Sequence, residues 1–217
     1  MKELRADARR NREQILRAAH LAFLEQGPEA PLDQIAERAG VGNATLYRHF
    51  PSRLELIRCV AFEHMGQVAA LASDTLAAAP TARRALTVFA TRVVERGVVA
   101  MLPILGGHVE SDPQFPKARA ELLDALEALV AAARAEGALR ADVGAADLVM
   151  FLAVLTRPLP TVSGQLNDEV RERMLTTLLD GLRPREATPL PGEPISADRI
   201  TADLSTARSR DTAASPE

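Results

Sequence analysis

Between residues 43 and 53 the chain reads NATLYRHFPSR, a run dense in groups that recognise rather than transform. Asn43 brings an amide able to pair with an adenine edge, Ala44 a methyl suited to a thymine methyl, and Thr45 a hydroxyl that donates or accepts. Arg48 suits a guanine edge or a phosphate, while Tyr47 and Arg53 suit phosphate oxygens, which position a protein on a duplex without reading it. His49 stands beside them, a lone imidazole that can complete the local packing. Further back, Arg9, Arg10 and Arg12 cluster where phosphate neutralisation would add sequence-blind affinity.

These groups need an element that presents them on one side, and the surrounding apolar residues specify it. Leu32, Ile35, Ala36 and Ala39 fall at helical spacing, so a short helix over 32–39 buries one stripe. Gly40 then takes the left-handed position that ends a helix at least cost, and Val41 plugs the corner. A second helix over 43–50 turns Leu46 and Phe50 inward and leaves the recognition groups outside. A preceding helix over about 8–26 carries Ile15, Ala19, Ala22 and Phe23 on its inner stripe. The result is a helix-turn-helix, whose second helix enters a major groove.

GVGNATLYRHFPSR preceded by DQIAERA resembles the signature of TetR-type bacterial transcriptional regulators, over about residues 8–60. The resemblance implies an all-α chain: a head at 1–50 and a helical ligand-binding and dimerisation body at 51–183. It also implies a homodimer on a palindromic double-stranded DNA operator, most often repressing and released by a small-molecule effector. Arg53 matches a family position for a phosphate-contacting base and His49 one near the DNA backbone, and the resemblance implies that the first helix packs across the other two. The entry to the helix-turn-helix departs from the pattern, because Ala30-Pro31-Leu32-Asp33 lacks the Ser or Thr that commonly caps there.

The charge balance agrees only when divided. The chain carries a net −3, but residues 1–60 hold ten Lys and Arg against eight Asp and Glu, leaving −5 on the remainder. A mildly basic head on an acidic body has the sign a DNA binder needs. With 47% apolar but only 3% aromatic residues, the core is expected to be Ala, Leu and Val on helices. The single cysteine, Cys59, excludes an internal disulfide and any multi-cysteine metal site. His64, His108, Glu110 and Asp112 match no metal-ligand spacing, so a metal-dependent enzyme is disfavoured and no cofactor is expected. A helical sensor or interaction protein that does not read DNA is the other alternative. No secretory signal or membrane-length apolar run is seen, which predicts a cytoplasmic protein with no membrane partner.

In the body, helices are expected from Pro51 to about Ala79, Ala82 to Met101, Lys117 to Glu136, Ala145 to Leu159, and Asp168 to Leu182, with PILGGHVESDPQFP a short helix and loop where Pro103, Gly106 and Gly107 break regularity. The resemblance implies a ligand pocket in the body, which Met65, Phe89, Met101, Phe115, Met150 and Phe151 are of a type to line, with Arg92 and His108 as polar partners; filling the core is the other reading of each. The last two helices are apolar on more than one face. Such wide girdles must bury more than one side. The resemblance implies the second partner, a four-helix bundle of two subunits, with Leu148, Leu152, Leu155, Met174, Leu175, Leu178 and Leu182 as candidates; ordinary core within one monomer is the other reading. Residues 184–217 contain five prolines and no aromatic residue, which predicts disorder, with ISADRITADL as a transient helix.

Overall fold

The computed structural model describes residues 2–157, 159, 161–185, 188–200, 202–203 and 206, with side chains from residue 6 onward. The chain is all-α, without a strand among the described residues. The head comprises α1 (Lys2–Gln26), α2 (Leu32–Arg38) and α3 (Asn43–His49). The body comprises α4 (Arg53–Ala78), α5 (Ala82–Arg96), α6 (Met101–Leu105), α7 (Phe115–Ala135), α8 (Ala145–Leu155) and α9 (Gly164–Gly181), with 3₁₀ turns on either side of α6.

Two apolar clusters organise these helices, and α4 belongs to both. Ile15, Ala19 and Phe23 of α1 meet Ile35, Leu46 and Phe50, and Leu56, Ile57, Val60 and Ala61 of α4 close that cluster from below. Met65, Val68, Leu71 and Ala72 continue α4 into the body cluster, against Phe89, Val93, Leu126, Leu129, Leu148 and Leu152. The head's core thus runs past residue 50 into the first turns of α4. Ser52 starts that helix by accepting a hydrogen bond from the Glu55 amide at 3.1 Å, satisfying one of the four donors a helix start leaves open.

Several expected boundaries move for identifiable reasons. Helix α1 begins at residue 2 rather than near 8. The helix expected to run to Met101 stops at Arg96, because Gly97 takes φ +65° and reverses the chain into a 3₁₀ turn. Helix α8 ends at Leu155, since the residue before Pro158 is driven out of helical geometry. Helix α9 starts early, at Gly164, because the Ser163 hydroxyl accepts from the Leu166 amide at 3.3 Å.

The tail departs most from expectation. Residues 188–200 lie along the body instead of leaving it: Leu190 packs on the body cluster, and the Leu190 amide donates to Asp142 Oδ2 at 3.0 Å. The Ile195 amide donates to Asp147 Oδ1 at 3.1 Å, and Arg140 donates to the Thr188 carbonyl at 2.6 Å. A helical turn starts at Ser196, whose hydroxyl accepts from the Arg199 amide at 3.1 Å. Composition argued for disorder, but apolar residues at 190, 195 and 200 give the segment an inner edge. The expectation for residues 201, 204, 205 and 207–217 lies outside the described residues.

Candidate nucleic-acid interface

The turn between α2 and α3 is built by backbone bonds alone. Gly40, at φ +68°, donates to the Glu37 carbonyl at 3.0 Å, and Val41 donates to the Ala36 carbonyl at 3.0 Å. That pair of bonds is the Schellman closure, and it depends on the left-handed glycine. Helix α3 is held by its inner edge, where Leu46 and Phe50 are each only 1% exposed. With that edge fixed, Asn43, Ala44, Tyr47 and Arg48 are exposed and Thr45 is half-buried. Tyr47 is 51% exposed, a large aromatic left in water on a helix otherwise locked to the core.

The arginines expected to share one role separate into three environments. Arg9 and Arg10 lie exposed along α1, in loose pairs with Glu13 at 3.7 Å and Asp7 at 3.6 Å. Such surface pairs are worth little and open readily to a stronger anion. Arg12 instead folds onto the head: its guanidinium lies 5.3 Å from the Phe50 ring centroid, and it donates to Cys59 Sγ at 3.5 Å. Arg53 is turned inward as well. It donates to the Pro28 carbonyl at 3.0 Å and the Ala30 carbonyl at 2.5 Å, with Glu29 4.0 Å away. One guanidinium thereby ties the start of α4 to the loop entering α2, the segment where the usual capping hydroxyl is missing. Pro31 precedes α2 with no side-chain cap.

His49 sits half-buried between Arg48, Arg12 and the Phe50 ring, 6.4 Å between ring centroids. Burial, then the two guanidinium charges, push its pKa down from the ordinary histidine value, which favours a neutral packing residue.

A second site lies in the body, between α4, α6, α7 and α8. Met65, Met101, Phe115 and Met150 converge there on a cavity of about 100 Å³, whose polar lining is Glu110 and Arg119. Four of the expected pocket residues are thus brought together and four are not. Phe89 is wholly buried in the body core, Arg92 is exposed on α5, and Phe151 lines an open groove on α8 and α9. His108 follows α6 in a 3₁₀ turn and does not line the cavity. Three wall residues, Ala61, Met101 and Val109, belong at the same time to the head's apolar cluster. The cavity and the reading helix therefore rest on one continuous packing surface.

The candidate dimer residues also divide. Leu148, Leu152, Leu175 and Leu182 are buried in the protomer's own core, because α8 and α9 must first pack on α5 and α7. What remains open is the groove lined by Phe151, Val154, Leu155, Met174, Thr177 and Leu178. Val154 is 66% exposed and Met174 49%, and Leu159 and Leu166 add further apolar surface nearby. Val154, Leu159 and Leu166 were passed over in the sequence because helical spacing cannot tell which of two apolar faces a protomer covers itself.

A histidine pair went unrecognised too. His20 of α1 and His64 of α4 lie 2.9 Å apart across the junction of head and body. Their separation of forty-four positions leaves no local signal. Gln67 gives its amide NH₂ to Glu63 at 3.1 Å, so its oxygen faces His64 Nδ1 at 3.3 Å, which then carries the proton. His64 Nε2 in turn accepts from His20. Burial, reinforced by His20, lowers the His64 pKa to about 4. Among the described residues no group of three or more His, Cys, Asp or Glu could hold a metal ion. No described helix is long and apolar enough to cross a membrane.

With this geometry in view, the comparisons with known proteins are consistent at both ends of the chain. Residues 15–60 match the family described as bacterial regulatory proteins, tetR family, and residues 81–184 match the SbtR-like transcriptional regulator C-terminal domain. A TetR transcriptional regulator of Streptomyces coelicolor, SCO0520, is 32% identical over 80% of this chain and 99% of its own, with a TM-score of 0.56. A TetR transcription regulatory protein from Mycobacterium vanbaalenii is 36% identical over 83% and 99%, with a TM-score of 0.55. The HTH-type regulator TtgW of Pseudomonas putida is 45% identical over 56 residues, 25% of this chain and 42% of that protein. The chain thus spans less than half the length of that curated relative.

Proposed function

Because this chain belongs to the TetR family of transcriptional regulators, we propose that it works as a homodimeric repressor, released from a palindromic operator by a small molecule bound in the body. The observation that carries the reading is the outward face of α3, where Asn43, Ala44, Tyr47 and Arg48 stand exposed on a helix pinned by Leu46 and Phe50. A rigid helix with a polar outer face inserts side chains at base edges without first having to order itself. Asn43, Ala44 and Thr45 read bases, Tyr47 and the α1 arginines Arg9 and Arg10 hold phosphates, and Arg48 takes a guanine or a phosphate. Arg53 acts here as a positioning residue: it fixes the loop entering α2, and through it the pitch of the head. Arg12 likewise braces Phe50.

One head covers only a few base pairs, so two must act together. The apolar groove around Val154 and Met174 is the surface we assign to the second subunit, where α8 and α9 of both protomers form a four-helix bundle. The wall shared through Ala61, Met101 and Val109 supplies the coupling. A mostly apolar molecule held in the cavity bears on α6 and α4 through that shared wall, and so biases the separation of the two heads. A hundredfold loss of operator affinity requires a differential binding energy of about 2.7 kcal/mol.

The test is a gel-shift titration of the purified chain against operators obtained by binding-site selection. Asn43→Ala is expected to change which operators are recovered. Tyr47→Phe is expected to weaken every operator about tenfold, the value of one hydrogen bond to a charged group. Unaltered selection in the first and unaltered affinity in the second would remove α3 as the reader.

A further inference from the structure

The cavity in the body has a wall that lies outside both family matches. Ala197 and Ile200, from the segment after α9, line it together with α4, α6, α7 and α8. The matched family regions end at residue 184, so this part of the wall lies beyond them. We propose that residues 188–200 form a displaceable cap on the effector site, with Ile200 as an internal competitor for the ligand's place. The inference rests on the small-molecule reading of the cavity given above.

Size makes the first argument. The cavity measures about 100 Å³, whereas sites for drug-sized ligands run roughly 300–1,000 Å³. A ligand larger than a few heavy atoms must therefore push back one wall. Four walls are helices rooted in the apolar clusters, through residues such as Leu122, Leu126 and Val149, all under a tenth exposed. The fifth is the tail, where Ile195, Ala197 and Ile200 are only half-buried.

The tail's attachments make the second argument. Arg119 pairs with Asp198 at 2.6 Å, but the Asp198 side chain is 91% exposed, and exposed pairs of this kind hold weakly. Its firmer anchors are the Leu190 amide on Asp142, the Ile195 amide on Asp147 and the Thr188 carbonyl on Arg140. These are bonds of an extended strap with little apolar burial, the kind of segment that opens before the rest of a fold. Asp147 also receives the Gly144 amide at 2.8 Å, so it keeps a partner when the strap leaves. Release thus strands no buried charge, and it exposes Arg119 to a polar group on the incoming molecule. The class of ligand that fits is a largely apolar organic molecule, with its polar end toward Glu110 and Arg119.

The experiment uses the full chain and the neutral apolar fluorophore N-phenyl-1-naphthylamine. Wild type is compared with the double variant Asp198→Asn, Ile200→Ser and with Met150→Trp, which fills the cavity from α8. Hydrogen exchange at the Leu190 and Ile195 amides is followed in wild type, a readout that depends on no variant folding. The expected results are at least fivefold tighter binding in the double variant, at least tenfold faster exchange at both amides under saturating probe, and loss of binding in Met150→Trp. Unchanged affinity in the double variant, or exchange that stays the same or slows, overturns the cap while leaving the cavity as a site. Full binding by Met150→Trp overturns the cavity reading and the cap with it.

Discussion

At the scale of single residues, the same side-chain type does different work according to what surrounds it. Arg53 lies where the sequence suggested a phosphate ligand, and the structure spends it on the carbonyls of Pro28 and Ala30. Arg53→Ala should then cost stability as well as DNA affinity. Two lost hydrogen bonds from a charged donor come to about 2–3 kcal/mol, a fall in melting temperature of about 4–10 °C by thermal denaturation in a chain of this size. Arg53→Lys should recover part of it, since one ammonium reaches one carbonyl but lacks the fork. His64 gives a second prediction. Its pKa is lowered to about 4 against an ordinary 6.5, so protons bind the unfolded chain first. Stability is complete above about pH 6.5 and declines as pH falls toward 4, by about 3 kcal/mol in all. Denaturant titrations across that window should show the decline, and His64→Gln should flatten it. The outward residues of α3 were legible from sequence, because a helix period assigns faces without knowing any partner. The destinations of Arg53 and His64 were not, because each depends on a contact more than twenty positions away.

At the scale of elements, the helices were largely readable and their roles only partly so. Apolar spacing located α2 to α4 within two residues and the end of α1, though not its start, and Gly40 with its positive φ ended α2 where expected. The break at Pro103, Gly106 and Gly107 marked a short helix and loop, but not that α6 starts at Met101, since that depends on Gly97 reversing the chain. Nor could it apportion the apolar residues of α8 and α9 between the protomer's core and a partner. Among the expected dimer residues, Leu148 and Leu175 proved internal, while Val154 on the opposite face of α8 is open. That division leads to a prediction at this scale. Val154→Arg places a charge at the centre of the assigned interface without touching the protomer's core, so sedimentation should show monomers with unchanged helical content. Operator affinity should fall at least tenfold, about 1.4 kcal/mol or more, as the second head is lost. A stable dimer in that variant would move the interface elsewhere.

At the scale of the whole molecule, the head and a cavity share one packed wall, α4 runs through both cores, and Ala197 and Ile200 add to the cavity's lining. The head's function was legible because recognition by a helix needs a fixed local pattern, which NATLYRHFPSR carries. The cavity was half legible: methionines and phenylalanines were the right types, but only packing decides which of them meet. The central claim is that two copies of this head read a symmetric site, and fluorescence anisotropy tests it directly. A labelled duplex bearing the selected operator is titrated with the dimer at physiological salt, beside a duplex of the same composition with one half-site scrambled. The account predicts at least a hundredfold tighter binding to the intact palindrome, a preference that persists as salt is raised while both affinities fall. Equal binding to the two duplexes, vanishing together at moderate salt, would contradict it.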